Sequence, residues 1–257
     1  MRLDDKSIVI TGASGIAAAT ARSAAREGAR VHVVSLHEEQ CRELVSQIEE
    51  DGGDAGWSAA DLTVESEARS ALDAARQRLG RVDGLFAVAG GSGRSFGDGP
   101  VHEMGLEAWV TTFDINTSPV FLSVSRLIAH MRQSGGSVVV VGSVLATSPS
   151  PRLFATHAYA AAKGAANSFV TTLASYYARD RIRVNAIAPG LVRTPMSERA
   201  AGDEQIVDYS RRKQPLAGGF LDPGHIADTA VFLLSDESSQ ITGQVIAVDG
   251  GWSVTEA

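Results

Sequence analysis

Cysteine, basic charge and long apolar runs are all in short supply here, and each shortage closes off a class of protein. The chain has one cysteine, Cys41, so no intrachain disulfide can form. Cys41 lies in a polar helical run, where a half-buried packing thiol fits better than a reactive one. No apolar stretch reaches the length needed to span a membrane, so no membrane partner is expected. The opening residues, Met1-Arg2-Leu3-Asp4-Asp5, are charged and run into a strand-like segment within a few positions, which does not fit a signal peptide. The cytoplasm is the expected compartment. Lys and Arg number 23 against 30 Asp and Glu, a net charge of −7 that argues against a nucleic-acid partner. His102, His157 and His225 are isolated, and solvated or capping roles suit them better than metal ligation. No metal site is expected. Internal repeats, linkers and low-complexity tracts are absent.

What remains is 44% hydrophobic and 257 residues long, enough to bury a sizeable core. Short apolar runs alternate with helical patterns along its whole length. The runs are Ser7 to Ile10, Val31 to Val34, Trp57 to Ala60, Gly84 to Val88, Ser137 to Val141, Arg183 to Ile187 and Gln244 to Val248. The helical patterns include Ala18 to Glu27, Glu38 to Glu50, one beginning near Val64, Trp109 to Met131, the Tyr159 region and Ile226 to Leu234. Such alternation predicts an α/β fold: a single doubly wound Rossmann-type domain over 1–257, with a seven-stranded parallel sheet and helices on both faces. Gly90 to Pro100 holds five glycines and reads as a mobile loop.

The first strand, the turn Thr11-Gly12-Ala13-Ser14-Gly15-Ile16-Ala17 and the following helix form a phosphate site by composition. Backbone N–H groups of a glycine turn and the positive end of a helix dipole would face a diphosphate. At the end of the second strand a dinucleotide fold often places an acid for ribose hydroxyls or an arginine for a 2′-phosphate. Ser35-Leu36-His37 offers neither. Asp61, followed by Leu62 and Thr63, could accept from an adenine amino group or cap the next helix. Tyr159 and Lys163, four apart in an alanine-rich helical stretch, share a face. An ammonium beside a phenol favours phenolate and lowers the tyrosine pKa. A phenol tuned toward neutrality can give a proton to a carbonyl or take one from an alcohol.

Together these residues resemble the classical short-chain dehydrogenase/reductase family, from Ile8 to Gly251. The resemblance is carried by Thr11 to Ala17, Asp61, Ala89-Gly90, Asn116, Ser143, Tyr159 with Lys163, the run Pro189 to Thr194, and Val248-Asp249-Gly250-Gly251. It implies a catalytic set of Asn116, Ser143, Tyr159 and Lys163. Tyr159 would be the acid/base, and Ser143 would hold the substrate carbonyl and its developing oxyanion. Lys163 would bind the nicotinamide ribose and depress the tyrosine pKa, and Asn116 would support a water leading protons to Lys163. The cofactor would be NAD or NADP, with a lean to NAD because Ser35 offers a hydroxyl and no cation is evident nearby. Its diphosphate end would meet Gly12, Ser14, Gly15 and Ile16; its adenosine end Ser35, Asp61 and Leu62. Ala89 and Gly90 would lie along it, with Tyr159 and Lys163. Pro189, Gly190, Val192 and Thr194 would hold the nicotinamide carboxamide. The substrate would be a small carbonyl or alcohol, covered by an insertion at about 195–220, and the protein a homodimer or homotetramer.

Four departures from the family pattern stand out. The opening turn is one residue short, and Ala17 replaces its last glycine, so a methyl would narrow the approach of the diphosphate or of the first helix to the sheet. The usual Asn-Asn-Ala-Gly is Ala87-Val88-Ala89-Gly90. Ser143 and Tyr159 are 16 positions apart, about three more than usual, with the excess placed at Pro149-Ser150-Pro151. The ribose-selecting position is Ser35. Two readings follow: an active oxidoreductase, favoured by the intact Asn116, Ser143, Tyr159 and Lys163, or a catalytically inactive member of the fold that binds a ligand or regulates, favoured by the short turn.

Overall fold

The computed structural model describes residues 1–256. Its strands are β1 (Ser7–Thr11), β2 (Arg30–Ser35), β3 (Asp54–Ala59), β4 (Gly84–Ala87), β5 (Gly136–Val141), β6 (Ile182–Pro189) and β7 (Val245–Val248). They form one parallel sheet in the order β3-β2-β1-β4-β5-β6-β7. The helices are α1 (Ile16–Arg26), α2 (Glu38–Glu50), α3 (Glu65–Leu79), α4 (Leu106–Met131), α5 (His157–Tyr177), α6 (Glu198–Ala201), α7 (Glu204–Lys213) and α8 (Pro223–Leu234). None among the described residues is long and apolar enough to cross a membrane.

Alternation along each strand sends side chains to two separate cores. Ile8, Ile10, Val31 and Val33 join residues of α1, α2 and α8. Val9, Val34, Leu85, Val138 and Val140 join residues of α3, α4 and α5. Both faces are therefore covered, as a parallel sheet requires. The order reverses at β1, whose neighbours are β2 and β4. In this kind of sheet the ligand site is expected beyond the carboxyl ends of the strands at such a reversal.

β3 begins at Asp54, three residues ahead of the expected Trp57, and ends at Ala59. Asp54-Ala55-Gly56 has no apolar run, and its strand form comes from pairing with Arg30 to His32 of β2. Arg78 packs across the strand at Gly56, where a Cβ would lie 2.3 Å from its Nε and push the guanidinium aside. α4 carries Pro119 in its interior. Proline has no N–H, so the Ile115 carbonyl, next to Asn116, loses its helical donor. The segment after β6 folds back through a bridge between Val192 and Leu221, and Arg193 N–H donates to Leu221 O (2.9 Å). The stretch at 195–220 holds α6 and α7 as a small lobe above the carboxyl end of the sheet.

Candidate active site

The glycine turn after β1 is shaped by two residues with positive φ, Gly12 at +100° and Gly15 at +53°. The left-handed region favours glycine at both. Gly12 N–H is tied to Val34 O (2.7 Å). A Cβ on Gly15 would come within 2.8 Å of Thr194 Cγ2, so the turn and the segment after β6 meet. No side chain caps α1, leaving its amino end open to an anion. These features fit a dinucleotide diphosphate: a turn without Cβ atoms at Gly12 and Gly15, an uncapped helix end and a position at the switch point. Ala17 settles where the extra methyl goes. It is 2% exposed within the core under α1, and its Cβ packs beneath the turn, 3.2 Å from where a Gly12 Cβ would stand. The methyl fills the space left by the shortened turn rather than the diphosphate cleft.

Ser35 ends β2 and is nearly buried. The Cys41 thiol of α2 hydrogen-bonds to it, and burial pushes that thiol above its ordinary range, so Cys41 is fully buried and inert. Asp61 binds Thr63 twice through Oδ1, to the amide at 2.9 Å and the hydroxyl at 2.6 Å. Leu62 is buried beside it. Nearby cations are engaged elsewhere. Arg42 pairs with Glu38 (2.6 Å) and lies over Trp57, and Arg22 donates to Gln47 (2.7 Å).

At the end of β4, Thr11 Oγ1 accepts from Val88 and Ala89 N–H (3.0 and 3.1 Å). Asn116 of α4 then clamps the next turn. Its Nδ2 donates to Gly91 O and Thr112 O, both 2.9 Å, while Oδ1 accepts from Gly91 N–H (3.3 Å). Gly90 lies flat against this amide; a Cβ there would be 2.7 Å from Asn116 Oδ1. Both Nδ2 hydrogens are engaged, while Oδ1 accepts a single bond.

Ser143 follows β5, with Tyr159 and Lys163 one turn apart on α5. Ser143 Oγ accepts from Leu145 N–H (3.2 Å) and hydrogen-bonds the Tyr159 phenol. Lys163 is 4% exposed. Its ammonium donates to Val141 O (2.9 Å) and stands 5.6 Å from the Tyr159 ring centroid. Electrostatics here differ from the expectation of a tyrosine lowered by lysine. Burial pushes the Tyr159 phenol above its ordinary value, and the Ser143 hydrogen bond pulls it part of the way back. Burial also brings Lys163 down to about 8. For both groups the largest cause is burial, which disfavours the charged form. The extra residues between Ser143 and Tyr159 pack outside the pair: Ser150 is buried, and Ser148 O accepts from Trp252 Nε1 (3.0 Å).

Two residues that sequence reasoning passed over complete the frame. Gln214 is fully buried, and its amide holds the turn after β6: Oε1 accepts from Leu191 N–H (2.5 Å), and Nε2 donates to Leu191 O (3.1 Å) and Gly219 O (2.6 Å). A Cβ on Gly190 would sit 2.2 Å from its Oε1. Gln214 thus does for Pro189 to Val192 what Asn116 does for Gly90-Gly91. Asp98 is the second, buried and bonded to the amides of Ala158 and Tyr159, both at 3.0 Å. Its loop is a braced segment with a short 3-10 turn at Gly93–Phe96, not the slack stretch its glycines suggest. Neither residue belongs to a local motif, so no sequence signal marked them. No group of three or more metal-binding side chains occurs among the described residues.

Comparison with known proteins gives the family. Residues 10–253 match a family model described as enoyl-(acyl carrier protein) reductase. The chain is 33% identical to the 2,5-dichloro-2,5-cyclohexadiene-1,4-diol dehydrogenase LinX of Sphingobium indicum, over 98% of each chain. It is 35% identical to the 3-oxoacyl-[acyl-carrier-protein] reductase FabG of Thermotoga maritima, over 98% of this chain and 99% of that one. The crystal structure of levodione reductase superposes with a TM-score of 0.91 at 29% identity, over 99% of this chain and all of the other.

Proposed function

Since the chain belongs to the short-chain dehydrogenase/reductase family of oxidoreductases, we propose that it transfers a hydride between NAD(P) and a small carbonyl/alcohol pair, with Tyr159 as the acid/base. The observation that carries this is the convergence of Ser143 from β5 with Tyr159 and Lys163 from α5 at the carboxyl end of the sheet.

The nicotinamide, when bound, supplies or accepts the hydride. Gly12, Ser14, Gly15 and Ile16 would hold the diphosphate. Ser35, Asp61 and Leu62 would meet the adenosine, and Pro189, Gly190, Val192 and Thr194 the carboxamide. Tyr159 Oη holds the proton that goes to the substrate oxygen in reduction and returns from it in oxidation. Ser143 Oγ donates to that oxygen as negative charge develops on it. Lys163 meets a ribose hydroxyl and supplies the positive charge that a phenolate needs. Asn116 and Gln214 fix two turns, at Gly91 and at Leu191, that would flank a bound nicotinamide. α6 and α7 cover the substrate and keep water from the reacting carbon.

The cofactor preference leans to NAD. Ser35 offers a hydroxyl at the end of β2, and Arg42 and Arg22 are committed to Glu38 and Gln47. The test is thermal unfolding with each nucleotide at equal concentration. A ligand that binds only the folded state raises the midpoint. Both nucleotides should do so, NAD(H) the more. No shift with either would remove the oxidoreductase reading, and an NADP(H) preference above about tenfold, about 1.4 kcal/mol, would remove the assigned preference.

A further inference from the structure

The loop from Gly90 to Val101, between β4 and α4, packs on α4 and reaches the first turn of α5, where it ends in a contact made for that turn. The first N–H groups of a helix have no partners within it. A local side chain usually takes them, but Thr156, the residue before α5, makes no such bond. Its hydroxyl turns back to Phe154 O at 3.5 Å. Asp98 supplies the cap instead, from about 60 residues away: Oδ1 accepts from Ala158 N–H and Oδ2 from Tyr159 N–H, each at 3.0 Å. A return bond runs from Val101 N–H to His157 Nδ1 (3.1 Å). Arg94 Nη2 adds a fourth link, to Leu153 O (3.1 Å).

Asp98 is 5% exposed and forms no salt bridge among the described residues. A buried carboxylate is costly even with the Arg94 guanidinium acting on it from the same loop. Here two charge-assisted hydrogen bonds and the positive end of α5 offset that cost. Its own position is fixed from the other side. Asp98 N–H donates to Gly93 O (3.0 Å), and Gly93 lies against α4 so closely that a Cβ would meet Thr112 Oγ1 at 2.0 Å. Asn116 holds Gly91 in the same loop. The loop is therefore a strap, anchored on α4 and ending on the backbone of the tyrosine.

We propose that Asp98 is a positioning residue for Tyr159: its carboxylate caps α5 and holds the phenol against Ser143. This rests on Tyr159 being the acid/base. A helix's first turn is its most easily frayed part. Tyr159 sits in that turn, and a displacement of about 1 Å at a reacting group costs on the order of 100-fold in rate. Asp98→Ala removes both acceptors, and Asp98→Asn keeps one. The probes are NADH with cyclohexanone or another carbonyl the wild type reduces, together with two readouts that need no substrate. One is amide hydrogen exchange across α5. The other is the absorbance titration of the Tyr159 phenol, taken as the difference from Tyr159→Phe, with Lys163 the cationic group that faces it.

In Asp98→Ala we expect the Ala158 and Tyr159 amides to exchange faster while Val170 to Ala174 stay protected. The phenol should titrate lower, toward its ordinary value of 10.0. The kcat should fall about 10- to 100-fold, with the KM for carbonyl and the nucleotide Kd unchanged, and Asp98→Asn should lie between. Unchanged exchange at Ala158 and Tyr159, or an unmoved phenol titration, overturns the proposal. Full kcat in Asp98→Ala overturns it too. So does an equal loss of protection along all of α5, which would make Asp98 a general stabiliser. A wild type that turns over no carbonyl would instead defeat the assigned reaction, while exchange and phenol titration would still decide the cap.

Discussion

Lys163 shows how a single buried group carries both function and cost. Its ammonium is held in the core under α5, where burial lowers it from 10.5 to about 8. The unfolded chain therefore binds a proton between pH 8 and pH 10.5 that the folded protein does not. Stability due to this residue is complete above the unfolded value and is lost as pH falls through the folded one. The full cost of charging it is about 3 kcal/mol. Relative to Lys163→Met, the wild type should thus gain unfolding free energy between pH 8 and pH 10.5. A difference that stays flat over that window, in denaturant unfolding of both proteins, would show that the ammonium is well solvated or better paired. At this scale the sequence was informative about identity but not about energetics. Four-residue spacing revealed that Tyr159 and Lys163 share a face. It could not reveal that the ammonium turns to Val141 O, nor that burial dominates the phenol.

Among elements, legibility followed how local the determinants are. β1 and β5 are runs of Val and Ile buried on both faces, and they read directly. β3 started early because Asp54 to Gly56 become a strand only through β2. α4 began three residues ahead of Trp109, at Leu106, a boundary that the apolar pattern alone does not fix. The shortened glycine turn announced itself, yet the direction of the Ala17 methyl depends on how α1 sits on the sheet. The braces were the least visible. Asn116 was noticed through the resemblance, but its role as a clamp on Gly91 needs the fold. Asp98 and Gln214 act on backbone groups about 60 and 23 residues away, so nothing adjacent to them signals the contact. Glycines were misleading for the same reason: in Gly90 to Pro100 they permit close packing on Asn116 and Thr112 rather than slackness.

At the scale of the whole molecule, two surfaces look unfinished in a lone protomer. On α4, Val110 and Phe121 are more than half exposed, and Trp109 stacks on Phe113 at the same end. On α5, Tyr176 is 70% exposed and packs edge-on to Tyr177. β7 is an edge strand with Val245 exposed, a kind of edge that chains protect by pairing or covering. The family resemblance pairs the α4 and α5 faces across a two-fold axis and then joins dimers through α8 and β7. A second copy of this chain is therefore the expected occupant of the α4–α5 face, with a tetramer completed at the β7 edge. Light scattering at micromolar concentration should give at least the dimer mass. Phe121→Glu should lower that mass and reduce turnover with it, since the interface braces the helix that carries Tyr159. A fully active monomer would contradict this.

The central claim is that the Tyr159 phenol moves the proton in a hydride transfer. Its most direct test is paired measurement of turnover and nucleotide binding in wild type and Tyr159→Phe, following reduced nicotinamide by absorbance across a panel of ketones and alcohols. The variant keeps the ring and loses only the hydroxyl, so the nucleotide Kd should hold while turnover falls by about 1,000-fold or more, at the upper reach of general acid–base catalysis. Turnover within a few-fold of wild type would contradict the account.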